Sequence, residues 1–177
     1  MADFHVVTPY TPFHTTTGSA FNTFTTFQDI SPSPAPTMFG NTLWLGAKIE
    51  LEAWGEFSNT STPTLSLGFY YGSAATVLAQ SQAITTTTGA TAWQWHVKYC
   101  GVVTGLGTSG TIVGQGIIDL GTSLTAMTTA PLPITQALRT VTIDTTVNKT
   151  LGVGAAWGTS SVSNTIKCND LRAFVMN

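Results

Sequence analysis

Glu50, Glu52 and Glu56 share one phase of the stretch TLWLGAKIELEAWGEFS, residues 42–58, and carboxylates so placed are the groups that glycoside hydrolysis needs. On a strand, residues two apart point to one face about 6.5–7 Å from each other, a separation at which two carboxyl groups can flank a glycosidic bond. Trp44 and Trp54 fall on the same phase and could stack on a sugar ring. The catalytic pattern nevertheless breaks. Retaining glucanases of jelly-roll fold carry Glu, Asp and Glu at successive outward positions, and here the position after Glu50 and Glu52 is Trp54. The strand therefore reads as one that faces solvent or an interface, and no enzymatic activity is expected.

The other reactive residue types are as sparse. His5, His14 and His96 form no HxH or HExxH pair, and neither Cys100 nor Cys168 has a CxxC partner, so a zinc site is not expected. GTS at 121–123 and GTSS at 158–161 lack the flanks of a nucleophile elbow. GLGTSG at 105–110 has the glycines of a phosphate loop but neither its lysine nor a following helix. No cofactor is implied. The cysteines are expected to be free thiols, since no basic region and apolar core that would mark a secretory signal opens the sequence. NTS at 59–61 and NKT at 148–150 then mean only asparagine in turns.

What must position these residues is a sheet. Among 177 residues, 42% are hydrophobic and only 8% charged, far below the roughly 25% of an ordinary soluble domain. Threonine fills the gap, and its branched side chain favours extended backbone. So little charge also removes the repulsion that keeps surfaces apart, a composition suited to assembly. Six basic residues scattered singly, at net charge -2, argue against nucleic acid. No apolar run approaches the roughly 20 residues that span a bilayer, so no membrane association is expected.

The alternation of apolar and polar residues predicts strands at 24–30, 42–58, 64–71, 92–103, 111–120 and 164–176, with shorter edge strands near 77–80 and 83–86. RTVTIDTT (139–146) and KTLGVGAAW (149–157) read as a hairpin closed at VNK, and the segment holding Pro131 and Pro133 reads as a loop. Nothing longer than a turn has helical periodicity. The expected fold is all-β: an antiparallel β-sandwich, a jelly roll of about eight strands. Residues 1–23, aromatic, Thr-rich and broken by Pro9 and Pro12, read as an extended N-terminal arm, with 24–177 as a single domain.

Within that sandwich Trp93, Trp95 and Trp157 can enter the core. Unless a bulge shifts the register, Trp44 and Trp54 cannot share the core face with Leu43 and Leu51, so something else must cover them: the arm, a second subunit or a sugar.

The stretches LWLGAKIELEAWGEFS, TPTLSLGFYYG, WQWHVKYCGVV, GTIVGQGIIDL, TVTIDTT and GVGAAWGTSSVSNTIKCNDL together resemble small virion structural proteins of tailed bacteriophages, particularly those infecting actinobacteria. The likeness runs from about residue 40 onward. It implies a jelly-roll protein without catalytic residues, made in the host cytoplasm and carried on the virion. Some such proteins are trimers that decorate the outer capsid surface, and others belong to tails. Two functions follow as expectations. The first is a homotrimeric decoration protein that binds the phage major capsid protein, with Trp44, Trp54, Phe4, Tyr10 and Phe13 as interface candidates. Glu50, Glu52 and Glu56 would then lie toward the rim of the contact or pair with Lys48, Lys98 or Arg139 of a neighbouring subunit. The second is a tail or fibre-tip module that recognises host-surface carbohydrate through exposed aromatics.

Overall fold

The computed structural model describes residues 8–9, 18–123, 125–135 and 139–176, and it is an antiparallel β-sandwich. The strands run, in chain order, β1 (Thr8–Pro9), β2 (Gln28–Asp29), β3 (Thr37–Met38), β4 (Lys48–Ser58), β5 (Thr64–Tyr71) and β6 (Ser73–Gln80). They continue as β7 (Ile84–Thr85), β8 (Trp93–Gly105), β9 (Gly110–Ser123), β10 (Ala126–Leu132), β11 (Thr140–Ile143), β12 (Lys149–Trp157) and β13 (Thr165–Met176). Eight of them have seven residues or more.

The larger sheet has the order β1-β13-β4-β8-β9-β10, with β11 also on β9. The smaller has the order β2-β12-β5-β6, with β3 on β12 and β7 on β5. Pairing of β4 with β13 in one sheet and of β5 with β12 in the other gives these four strands the rolled course of a jelly roll. β8, β9 and β10 instead run as a meander inside the larger sheet. Between the sheets lie Ile49, Leu51, Phe57, Leu65, Leu67, Phe69, Trp95, Val97, Tyr99, Trp157 and Leu171, all buried. Trp93 packs against this core from its edge.

Four strand expectations are corrected. The strand predicted at 42–58 begins only at Lys48, because the chain turns at Leu45–Gly46, where Gly46 takes a φ of 87° that a side chain would disfavour. Of 24–30 only Gln28–Asp29 is strand. The segment holding Pro131 is strand β10, which tolerates a proline because it pairs on one side only. Finally, β11 and β12 are no hairpin: β11 pairs with β9 and β12 with β5, so VNK carries the chain from one sheet to the other. Of the predicted arm, residues 18–23 follow β13. Gly18 N–H donates to Cys168 O, and Phe21 and Ile166 exchange both backbone bonds.

The smaller sheet is closed on its outer side too. A Cβ on Gly152 would lie 2.1 Å from the Tyr70 ring, and one on Gly154 2.4 Å from the ring of Phe27. These two aromatics lie over the bare backbone of β12, and the 24–38 segment is held there by bonds such as Ile30 N–H to Val153 O and Val153 N–H to Ser31 Oγ.

Candidate functional site on the larger sheet

The outer face of the larger sheet is built by period-2 alternation. Every second residue of β4, β8 and β9 enters the core, and the others stand outward in rows across the strands. The register sets Asp170, Trp54, His96, Asp119 and Thr129 side by side in one row, contributed by β13, β4, β8, β9 and β10. The adjacent row is Arg172, Glu52, Lys98, Ile117 and Pro131.

Within the two rows the charges are paired. His96 Nε2 lies 2.8 Å from Glu52 Oε1, and its Nδ1 lies 4.0 Å from Asp119 Oδ2. Lys98 Nζ is 3.1 Å from the same Glu52 oxygen, and Thr129 Oγ1 donates to Asp119 Oδ1. Arg172 Nε donates to Asp170 Oδ2 at 2.7 Å, and in a further row Lys167 pairs with Glu56 at 3.7 Å. Partial burial raises the Glu52 pKa, but the bonds from His96 and Lys98 more than offset it and hold the carboxyl below its ordinary range. Glu52 and Glu56 thus find their partners inside their own chain.

Between these side chains lies an open groove of about 630 Å³, lined by Trp54, Glu56, Gln94, His96, Asp119 and Met127. Trp54 is 45% exposed at its edge. Asn169 also lines it, from the β-bulge between Cys168 and Asp170. A bulge adds one residue to a strand and re-aims a side chain. Asn169 Oδ1 is buried and has no hydrogen-bond partner among the described residues. A second groove, of about 570 Å³, lies further along the face beside Glu50, Lys98, Cys100, Gln115, Ile117 and Phe174.

Trp54 is where the alternation placed it. Trp44 is not: it precedes the turn at Leu45–Gly46 and lies outside β4, so it does not continue the outward row that holds Trp54. Phe4, Tyr10 and Phe13 lie outside the described residues. Cys100 is an exposed thiol on β8 and Cys168 a buried one on β13, each free. Asp119, Met127 and Asn169 were not foreseen. The outward phase of TIVGQGIIDL carries the signal for Asp119, whereas Met127 was hidden by reading β10 as a loop. Among the described residues no group of three or more His, Cys, Asp or Glu side chains is placed to hold a metal ion.

No protein-family model matches the chain. No curated protein matches it in sequence. Among solved structures it is similar to the CBM2 module of the evolved Dit of Lactobacillus casei BL23 phage J-1, at 9% identity over 100% of this chain and 92% of that one. It is also similar to lectin I-B4 from Griffonia simplicifolia in its metal-free form, at 8% identity over 99% and 94%. Both superpose with a TM-score of 0.37, a level at which neither carries an argument about this site.

Proposed function

We propose that the chain is a non-enzymatic recognition module that binds carbohydrate on the outer face of its larger sheet, in the setting of a bacteriophage virion. The observation that carries the binding is Trp54, exposed at the edge of a groove whose other walls hold amide, carboxylate and imidazole groups beside Met127. A sugar ring offers an apolar face to an aromatic plane and hydroxyls to just such polar groups, and a concave site with a few placed polar atoms is what small ligands need. The virion setting rests on the sequence resemblance from residue 40 onward.

The carboxylates support a binding role over a hydrolytic one. A general acid needs a raised pKa, and Glu52 is shifted the other way by His96 and Lys98. Glu56 is tied to Lys167.

Capsid decoration as a homotrimer is the second reading, and the exposure of Val113, Ile117 and Met127, at 38%, 45% and 48%, favours it, since these share the face with Trp54. It requires a neighbouring subunit to cover Trp54.

Calorimetric titration with fragments of host cell-wall and capsular polysaccharides separates the two. Trp54→Ala should weaken glycan binding at least about tenfold, roughly 1.4 kcal/mol, without changing the mass in solution. Undiminished binding by that variant, or a wild-type trimer that it dissolves, would displace the glycan reading.

A further inference from the structure

One pole of the sandwich is made of three loops laced together. Asn41 N–H donates to Thr145 O, Thr145 N–H to Gly107 O, and Gly107 N–H to Thr145 Oγ1. Gly40 N–H donates to Asn148 Oδ1, while Gly46 N–H ties the turn after Trp44 to Val103 O at the end of β8. The loops are FGNTLWLGA (39–47), LGTS (106–109) and TTVN (145–148), and none contains an ionisable side chain. They nevertheless hold large apolar groups in solvent: Leu45 is 63% exposed, Leu106 and Val147 46% each, and Trp44 38%. Asp144, Lys48 and Lys149 adjoin the loops in sequence and supply both signs of charge around them.

We infer that this pole is a self-association surface on which a second copy of the chain packs end to end. An uncharged patch can face its own image across a two-fold axis without like-charge repulsion, and a border with both signs lets one copy's lysine approach the other's carboxylate. Apolar centre and charged border are the usual anatomy of a protein–protein contact. The four side chains expose on the order of several hundred Å², the size at which an apolar patch marks an interaction site. A standard interface buries about 800 Å² per partner, more than these four side chains supply, so a weak association is expected. The Trp54 groove lies on the sheet face and stays open in such a pair, which makes the pair bivalent.

Sedimentation velocity of the full chain across roughly 1 to 200 µM, a span in which weak association shows itself, tests this. The wild type should pass from the 18.6 kDa chain to about twice that mass. Leu45→Lys and Leu106→Glu, on two different loops and both at exposed positions, should each raise the midpoint at least tenfold with the circular dichroism unchanged. A wild type monomeric throughout, a trimer, or a dimer indifferent to both substitutions would overturn the inference. So would a monomer that co-sediments with phosphatidylcholine vesicles through the same residues, since the pole would then serve lipid.

Discussion

On the smaller sheet Tyr70 and Phe27 lie over Gly152 and Gly154, whereas on the larger sheet Trp54, His96 and Asp119 hold outward positions and line an open groove. The two faces have the same backbone geometry. What differs is the size of the residue under the aromatic ring. Glycines on β12 let rings from β5 and the 24–38 segment settle onto the backbone, and that face is spent on stability. On β4, β8 and β9 the outward positions carry Glu52, Trp54, His96, Lys98 and Asp119, several of them ion-paired along the face, and a groove stays open among them. Function belongs on the face that the fold leaves uncovered.

The contrast breaks most sharply at β12. Gly152→Val places atoms inside the Tyr70 ring and should cost about 3 kcal/mol, read as a lower urea midpoint, while the protein that remains folded keeps its glycan affinity. A loss below about 1 kcal/mol would mean that Tyr70 moves aside freely and that the cover is not tight.

The two sheets should also answer to opposite ends of the pH scale. Burial, and then Asp144, push the Tyr71 hydroxyl up to about 12, and burial with Asp29 raises Tyr70 further. A raised folded pKa gives stability that is complete below the unfolded value near 10 and is lost as pH climbs toward the folded one. Tyr71 alone is then worth roughly 2 kcal/mol between pH 9 and 12. Glu52 is depressed, so its smaller contribution is present above about pH 4.5 and fades as pH falls through the folded value. Urea titrations at pH 3 to 12 should show Tyr71→Phe flattening the alkaline limb and Glu52→Gln the acid limb. An acid limb unchanged in Glu52→Gln would remove the role given to the His96–Glu52–Lys98 cluster.

The smallest effect is expected at Lys98, whose side chain is about half exposed. Lys98→Ala should change stability by less than about 1 kcal/mol, because solvent screens such pairs. A larger loss in thermal melts would show that the outer face carries more of the stability than its openness implies.

Much of this was readable from residue phase. WQWHVKYC declared its two faces, and Trp95, Val97 and Tyr99 are buried as the alternation required. Trp54 declared itself as outward. The failures share a cause: phase is local, and what decides these cases is not. Leu43 and Leu45 keep the alternation going through residues that have left the strand, because hydropathy does not register the turn at Gly46. Pro131 looked incompatible with pairing until β10 proved to be an edge. The pairing of β12 with β5 rather than β11, and the rings over Gly152 and Gly154, depend on partners some 80 or more residues away. In the site, His96 has no metal-ligand partner nearby in sequence, yet the register sets it between Glu52 and Asp119.

The pairing of β4 with β13, Ser58 opposite Thr165 and Lys48 opposite Met176, also fixes an order of events during synthesis. β4 is among the first long strands to be made, and one side of it waits for a partner more than 100 residues downstream. Closing so large a loop makes the entropy cost early and the reward late, which slows folding. Until β13 has been made, the backbone of β4 is an open edge, and an uncovered strand edge is a template for pairing with another nascent chain. Its alternating Lys48, Glu50, Glu52 and Glu56 then act as gatekeepers, keeping copies of the unfinished chain from stacking edge to edge on a crowded polysome.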